Sequence, residues 1–312
     1  MGFCKGAGSD HLISISAEEA FNAYEAVRHR LPISTGNASR AEKVETLADI
    51  ADRFDVFLLD AFGVLNIGET AIPGACVRVE SLKAAGKRVL VVSNAASLPE
   101  TELLKKYNSL GFSFVLEDIV TSRATLAAAM PDKKGTRWGV MAASSAQLDD
   151  LGDMRFCVLE DDPQAFQLVD GFLLIGSASW TEHRQLMLED ALSERPRPVL
   201  VANPDIVAPR ETGFSAEPGH FAHRLADLTG VTPEFFGKPF RNIFDLAFER
   251  LGTVDKSRVV MVGDSLHTDI LGAQAAGVSS ALMANFGFFA GHDIERAVAA
   301  SGIVPDFIVE RP

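Results

Sequence analysis

Cysteine and long apolar runs are both scarce in this sequence, which narrows the possible compartments and sites. The three cysteines, Cys4, Cys76 and Cys157, lie far apart and fit no metal-binding or redox spacing. No apolar run reaches the roughly 20 residues that a membrane helix needs. The N-terminus lacks the pattern of a secretory leader, and its first six residues lack the Ser or Thr of a myristoylation signal. We therefore expect a cytoplasmic protein in a reducing compartment.

Positive charge is scarce as well. The chain carries 29 Lys and Arg residues against 42 Asp and Glu, a formal net charge of −13. This balance disfavours a nucleic-acid backbone and an anionic membrane surface as partners. It leaves a phosphate substrate possible, because such a substrate needs only a few local cations or a metal. No strand is followed by the glycine fingerprint of a dinucleotide-binding fold, and we find no internal repeat or low-complexity segment.

Hydrophobic residues are plentiful, and their arrangement indicates an α/β fold. They make up 47% of the 312 residues, which is typical of a soluble globular protein of one large or two moderate domains. Short apolar runs alternate with helical stretches along most of the chain, so the connections are crossovers and the sheet is parallel. The composition turns polar near residues 131–135, where a second set of alternating elements begins. We expect a doubly wound core with a smaller α/β domain in the middle of the chain.

The first fifty or so residues precede this alternation. Residues 1 to about 15 have no periodic pattern, and we expect a poorly ordered lead-in there. Ser16–Glu19 and Ser39–Glu42 each fit a capping box, and the apolar spacing after each predicts a helix. The sequence therefore predicts a helical extension before the main fold.

Two predicted buried strands end in acids. Residues 55–65 form an apolar run that delivers Asp60 and breaks at Gly63, and residues 258–264 end in Asp264. The carboxyl ends of parallel strands meet at the sheet edge where α/β proteins bind ligands. With Asp269 five residues further on, the acids would form an oxygen-rich site suited to a hard cation such as Mg²⁺. Asp60 could also merely cap the turn that follows it.

Three further polar residues would complete a phosphate site. Ser93 and Asn94 end another predicted strand, and Lys238 precedes a helical run. Together they offer hydrogen-bond donors and one cation, enough to hold a phosphoryl group. Taken singly, a Ser-Asn pair after a strand is usually turn chemistry and a Lys before Pro is usually solvated. The hypothesis depends on the combination.

In this order the motifs resemble the haloacid dehalogenase superfamily of phosphotransfer enzymes. The four matching segments are Asp60-Ala-Phe-Gly-Val-Leu65, Val91-Val-Ser-Asn94, Gly237-Lys-Pro239 and Gly263-Asp-Ser-Leu-His-Thr-Asp269. The large insertion between the second and third, with Asn203-Pro-Asp205 after its final predicted strand, is similar to the class IIA, NagD-like and p-nitrophenyl phosphatase branch. The resemblance covers roughly residues 54–310. It implies a core over residues 54–132 and 235–312, a cap over 133–234 and an N-terminal helical extension over 1–53 packed on the core.

The resemblance also implies roles for individual residues. Asp60 would be the nucleophile that forms an aspartyl-phosphate. Mg²⁺ would be held by Asp60, the backbone carbonyl of Phe62, Asp264 and Asp269. Ser93, Asn94 and Lys238 would hold the phosphoryl group, while Asn203 and Asp205 of the cap would reach the substrate. Members of this class often pair through their caps, so the resemblance also implies a homodimer formed through the cap.

Phe62 departs from the family pattern. The phosphatases of the family carry an Asp two residues after the nucleophile, which acts as general acid and base, and a group of class IIA proteins has an aromatic residue there instead. Losing such a group typically costs about 10²–10⁴ in rate. His267, Asp205 and His220 are candidates to replace it.

The leading hypothesis is therefore a Mg²⁺-dependent phosphatase, slowed by Phe62, that acts on a small phosphorylated metabolite. The alternative is a protein of the same fold that binds or senses a phosphometabolite without turnover. Cleavage of a carbon–phosphorus bond needs less leaving-group protonation, but no Schiff-base lysine can be identified. A dehalogenase and a phospho-accepting receiver domain fit the motifs and their spacing less well.

Overall fold

The computed structural model describes residues 12–13, 16–34, 36, 40–130, 135–209 and 214–312. The strands in chain order are β1 (Leu12–Ile13), β2 (Glu42–Thr46), β3 (Val56–Leu59), β4 (Asn66–Ile67), β5 (Thr70–Ala71), β6 (Arg88–Ser93), β7 (Ile119–Thr121), β8 (Arg137–Met141), β9 (Arg155–Val158), β10 (Gly171–Leu174), β11 (Val199–Val201), β12 (Val207–Pro209), β13 (Phe214–Ala216), β14 (Glu234–Phe235), β15 (Val259–Gly263), β16 (Ser279–Met283) and β17 (Phe307–Arg311). The helices are α1 (Ala17–Ala26), α2 (Ala75–Ala84), α3 (Glu100–Ser109), α4 (Ser122–Ala129), α5 (Pro163–Gln167), α6 (Glu182–Glu194), α7 (Pro218–Thr229), α8 (Arg241–Leu251), α9 (Leu271–Ala276) and α10 (Ile294–Ser301).

A parallel sheet of seven strands, in the order β2-β17-β16-β15-β3-β6-β7, forms the centre of the core. All four residues of β3 are buried, because helices cover both faces of the sheet. Phe57 and Leu59 pack with residues of α2 and α3, whereas Val56 and Leu58 pack with residues of α8 and α9. The predicted doubly wound parallel core is confirmed.

A second parallel sheet, in the order β14-β11-β10-β8-β9, is built from the inserted segment. One face packs against α5, α6 and α7, with Phe172 and Leu174 of β10 at its centre. On the other face Leu173 lies in a cluster with Ala96 and with Leu126 of α4, both of which belong to the core segment. The inserted α/β unit is thus seated directly on the core.

The N-terminal segment differs in part from the predicted helical extension. Ser16 caps α1 through the predicted capping box with Glu19. The second predicted helix is wrong, since Glu42–Thr46 forms the edge strand β2 beside β17. The capping box in this region is that of Thr46 and Asp49, which begins a 3₁₀ helix over Leu47–Arg53. Alternation of charged residues with Val44 fits an edge strand, whose outer face meets water. Ser39 itself lies outside the described residues.

Two residues of the lead-in that the sequence predicts to be poorly ordered form a strand. Leu12–Ile13 forms β1, which pairs antiparallel with β13, itself paired with β12. No local pattern could reveal this pairing, because its partner lies about 200 residues away in sequence. Most of the remaining lead-in lies outside the described residues.

The predicted three-part division of the chain stays a prediction. The boundary at residues 234 and 235 passes through β14, whose Phe235 pairs with Val201 of the second sheet. The polar boundary near residues 131–135 lies almost wholly outside the described residues.

Cys76 and Cys157 are both free thiols. Within the described ranges, no helix is long and apolar enough to cross a membrane.

Candidate active site

The candidate site lies at the carboxyl ends of β3, β6 and β15, beneath the inserted sheet. These ends open into a cavity of about 1300 Å³. Its walls come from the core, the inserted segment and α1. This is the sheet edge at which open α/β folds bind ligands.

Three carboxylates from the predicted set meet at this edge. Oxygen atoms of Asp60, Asp264 and Asp269 all lie within 4.8 Å of one another. Asp60 follows β3, Asp264 follows β15, and Asp269 lies in the π-helical turn Leu266–Ile270 that leads into α9. The structure therefore brings together acids that are up to 209 residues apart in sequence.

Hydrogen bonds from the backbone fix all three acids, and Asp60 Oδ1 accepts one from the Ala61 amide at 2.7 Å. Asp269 Oδ2 accepts hydrogen bonds from the amides of Asp264 and Ser265, at 3.1 and 3.0 Å. Asp264 Oδ2 accepts one from the Phe288 amide at 2.7 Å. With these oxygens engaged, each carboxylate has a defined orientation within the cluster.

Lys238 is the cation that faces this cluster. Its Nζ lies 2.6 Å from Asp60 Oδ1 and 2.8 Å from Asp269 Oδ1, and its side chain is only 2% exposed. Burial lowers the pKa of Lys238, but Asp269 and Asp60 outweigh burial and hold the pKa above its usual value. Lys238 is therefore charged at neutral pH.

One lysine does not balance three clustered carboxylates, of which Asp264 and Asp269 are buried and Asp60 is partly buried. Burial raises the pKa of Asp60 to about 6, with Lys238 opposing the shift and Asp269 adding to it. Burial, Asp60 and Asp269 together raise the pKa of Asp264 well above its usual value. Three close carboxylate oxygens are the donor set that a hard cation such as Mg²⁺ prefers. The residues present thus fit a divalent cation, which would supply the missing positive charge.

The predicted phosphate-holding residues lie in the same cavity. Asn94 Oδ1 accepts a hydrogen bond from the Lys238 amide at 2.7 Å, and its Nδ2 donates to the Lys238 carbonyl at 2.9 Å. The Asn94 side chain therefore links the loop after β6 to the loop that carries Lys238. Ser93 Oγ accepts a hydrogen bond from the Ala95 amide at 3.2 Å and lines the cavity.

The inserted segment contributes Asn203 and Asp205 from the loop after β11. Asp205 Oδ1 accepts a hydrogen bond from Asn94 Nδ2 at 2.8 Å. Asn203 Oδ1 accepts a hydrogen bond from the Asp205 amide at 3.0 Å, and Asn203 Nδ2 donates one to Glu217 at 3.1 Å. Asp205 thus contacts the core directly, whereas Asn203 supports the loop and also lines the cavity.

The three candidate replacements for the missing acid have different surroundings. Phe62 lines the cavity, as does Asp205. His267 is 1% exposed, lies 2.5 Å from Glu25 and stacks on Tyr24, so it faces α1. His220 packs edge-on against Phe221 in α7. Of the residues described, no histidine lines the cavity.

Sequence reasoning missed Tyr24 and Glu217, which both line the cavity. The Tyr24 hydroxyl accepts a hydrogen bond from the Ile206 amide at 3.1 Å, next to Asp205. Ring stacking joins Tyr24 to His267, in the turn between Asp264 and Asp269. A buried tyrosine on a helix is ordinarily a core residue, so no sequence signal marked it out.

Two family models match separate stretches of the chain. The model described as haloacid dehalogenase-like hydrolase matches residues 57–152. A second, described as HAD-hydrolase-like, matches residues 235–311. Together they cover more than half of the chain and contain all four predicted motifs.

Among similar proteins is an acid sugar phosphatase of Staphylococcus haemolyticus, 27% identical over 72% of this chain and 82% of its own length. A 4-nitrophenylphosphatase of Schizosaccharomyces pombe is 25% identical over 88% of this chain and 97% of its length. The fold is similar to that of a possible sugar phosphatase of the HAD superfamily from Cytophaga hutchinsonii, with 27% identity and a TM-score of 0.75, covering 86% of this chain and 97% of that one. It is also similar to glycerol phosphate phosphatase of Mycobacterium tuberculosis in complex with magnesium, with 25% identity and a TM-score of 0.65. That match covers 83% of this chain and 75% of the other. The chain belongs to the haloacid dehalogenase superfamily of hydrolases, in the class IIA branch with the NagD-like and 4-nitrophenyl phosphatases.

Proposed function

We propose that this protein is a Mg²⁺-dependent phosphatase that hydrolyses a small phosphorylated metabolite through an aspartyl-phosphate on Asp60. The observation that carries the proposal is the contact of Lys238 with both Asp60 and Asp269 at the floor of a large cavity. A carboxylate nucleophile, a buried cation and a carboxylate cluster are the parts that phosphoryl transfer needs.

In this mechanism Asp60 Oδ attacks the phosphorus while Lys238 and Ser93 hold the phosphoryl oxygens. Asn94 keeps Lys238 in position through its two hydrogen bonds to that residue's backbone. Asp60, Asp264, Asp269 and the backbone carbonyl of Phe62 would hold Mg²⁺. When bound, the ion neutralises negative charge on the phosphoryl oxygens and on these carboxylates.

The substrate class follows from the cavity and from the relatives. A cavity of about 1300 Å³ admits a sugar or polyol phosphate with room for water, and its walls carry polar groups such as Asn203 and Glu217. Relatives are named for sugar phosphate and nitrophenyl phosphate hydrolysis. We expect a sugar or polyol phosphate as substrate, and pairing of two copies through the cap stays a prediction.

One observation favours a second candidate function. Phe62 lines the cavity where the family's phosphatases carry a general acid, and phenylalanine transfers no proton. A protein of this design could bind or sense a phosphometabolite without turning it over.

Phosphate release from sugar, polyol, nucleotide and nitrophenyl phosphates with Mg²⁺ separates the two candidates. The phosphatase predicts release that disappears in the Asp60→Asn protein, because the amide cannot act as the nucleophile. A binding protein predicts a raised melting temperature with some of these compounds and no release from any. That result would reject the phosphatase in favour of the binding function.

A further inference from the structure

We propose that Asp205, reaching in from the inserted domain, is the proton donor and acceptor that takes the place of the acid missing at Phe62. The proposal rests on the phosphatase function above. It assigns to a residue of the loop after β11 a catalytic step that the family motif assigns to a residue of the core.

The first argument is the inventory of acids around the cavity. Among the described residues, four carboxyl side chains line it: Asp60, Asp205, Glu217 and Asp264. Asp60 pairs with Lys238, and Asp264 belongs to the candidate metal cluster. Glu217 accepts hydrogen bonds from Asn203 at 3.1 Å and from Ser215 at 2.5 Å. Asp205 is the lining acid that belongs to neither group and that contacts the phosphate-site residue Asn94.

The second argument is the direction of the reaction. Attack by Asp60 and departure of the leaving oxygen are roughly in line across phosphorus. Because Asp60 lies on the floor of the cavity, the leaving oxygen points away from the core, toward the inserted domain. Asp205 lines the cavity from the inserted segment, and its Oδ1 accepts a hydrogen bond from the phosphate-site residue Asn94 at 2.8 Å.

The third argument is that the loop carrying Asp205 is held on both sides. A Cβ atom on Gly219 would lie 2.1 Å from the Pro204 carbonyl oxygen, so α7 approaches the loop more closely than any other residue type allows. A Cβ atom on Gly237, whose φ is +125°, would lie 2.9 Å from Pro204 Cδ on the core side. The Gly219 amide also donates to the Asp205 carbonyl at 3.0 Å. Such close packing orients Asp205, as a proton-transferring group requires.

The protonation state of Asp205 suits the first step. Burial raises its pKa to about 8, against the lowering effects of Asn94 and Lys238, and Asp60 and Glu217 add to the rise. Tyr24 of α1 is the other titratable group beside this loop, and burial also raises its pKa. Below pH 8 the Asp205 carboxyl is therefore mostly protonated and able to donate.

The step balances in atoms and charge. As the bond from Asp60 Oδ to phosphorus forms, the bond from phosphorus to the leaving oxygen breaks, and that oxygen takes the proton of Asp205. The Asp205 carboxylate then accepts a proton from the water that attacks phosphorus, and the bond to Asp60 breaks. An alcohol and inorganic phosphate leave, and both acids return to their starting states.

The test compares leaving groups in the Asp205→Asn protein. Asn keeps an oxygen that accepts the Asn94 hydrogen bond but has no acidic proton. Nitrophenolate leaves without protonation because its charge is delocalised, whereas an alkoxide does not. We expect kcat/KM to fall by about 10² or more for glycerol phosphate or a sugar phosphate, the span of a lost general acid. The fall for p-nitrophenyl phosphate should be much smaller, and the exposed-site variant Asp153→Asn should match the parent with both substrates.

Two further measurements distinguish the loss of proton transfer in Asp205→Asn from a loss of folded protein. In the parent, kcat/KM for the alkyl ester should fall as pH rises through about 8, since Asp205 loses its proton there, and Asp205→Asn should lose this limb. In the Asp205→Asn background, Phe62→Asp should restore activity on the alkyl ester, while Phe62→Asn should not. Equal losses for both leaving groups in Asp205→Asn, without rescue by Phe62→Asp, would overturn the assignment while leaving the phosphatase intact. Absence of turnover in the parent would instead reject the phosphatase and this step with it.

Discussion

Lys238 lies buried between two carboxylates, so its contribution can be measured on stability as well as on activity. Replacing one partner of a buried ion pair leaves the others uncompensated, which typically costs about 3–5 kcal/mol. We expect Lys238→Met to lower the free energy of unfolding by about that amount and to abolish phosphate release. Mg²⁺ should recover part of the lost stability, because it supplies positive charge to the same carboxylates.

Denaturant unfolding with and without Mg²⁺ measures both effects. The matched control is Lys105→Met, since Lys105 is 73% exposed and its pair with Glu102 lies on the surface of α3. Surface pairs contribute about 0–1 kcal/mol, so this variant should stay close to the parent. A Lys238→Met protein as stable as the parent would contradict the view that the cluster depends on that lysine.

At the scale of elements, α1 joins the inserted segment to the core around Tyr24. Its residues pack in one cluster with Ile206 and Phe214 from the inserted segment and with Leu266 and Phe288 from the core. Glu25 contacts His267, and Arg30, in the 3₁₀ turn that follows α1, forms an ion pair with Asp227 of α7. The helix therefore fastens the loop that carries Asp205 to the turn that carries Asp269.

Tyr24→Phe should weaken the contact between α1 and the loop that carries Asp205. It removes the hydroxyl that accepts the Ile206 amide, and an unsatisfied buried donor costs about 1–3 kcal/mol. We expect unfolding free energy to fall by that amount, measured by urea denaturation, and kcat to fall as the Asp205 loop loses its support. Asn22→Ala, on the exposed side of the same helix, should change stability by no more than about 0.5 kcal/mol. Unchanged stability and kcat in Tyr24→Phe would contradict this role for α1.

The contrast between β3 and α1 explains how far the sequence predicts this protein. A continuous apolar run predicts a buried strand. An acid at the end of such a strand is unusual enough to indicate a ligand site, and Asp60 and Asp264 are two such acids. Contacts between residues far apart in the chain produce no local sequence pattern. Nothing local distinguishes Tyr24 from an ordinary core residue, or indicates that Leu12–Ile13 pairs with β13. The edge strand β2 is mostly polar and carries a weak strand signal, whereas the capping-box pattern of Ser39–Glu42 just before it predicts a helix.

At the scale of the whole molecule, metal binding should appear as stability. In the metal-free protein Asp60, Asp264 and Asp269 repel one another with one buried lysine among them. A ligand that binds only the folded state stabilises it by about 2.7 kcal/mol at 100 times its dissociation constant. We therefore expect Mg²⁺ to raise the melting temperature by several degrees and a chelator to reverse the rise.

The Asp264→Asn variant tests this prediction, because its stability relative to the parent should change sign when Mg²⁺ is added. Neutralising one carboxylate removes repulsion, so without metal the variant should be at least as stable as the parent, and its amide oxygen can still accept the Phe288 amide. With Mg²⁺ the order should reverse, because the parent gains stability and the variant, having lost a ligand, does not. Asp153→Asn, exposed and outside the cluster, should follow the parent under both conditions. Melting curves that shift equally in Asp264→Asn and the parent would place the cation elsewhere on the molecule.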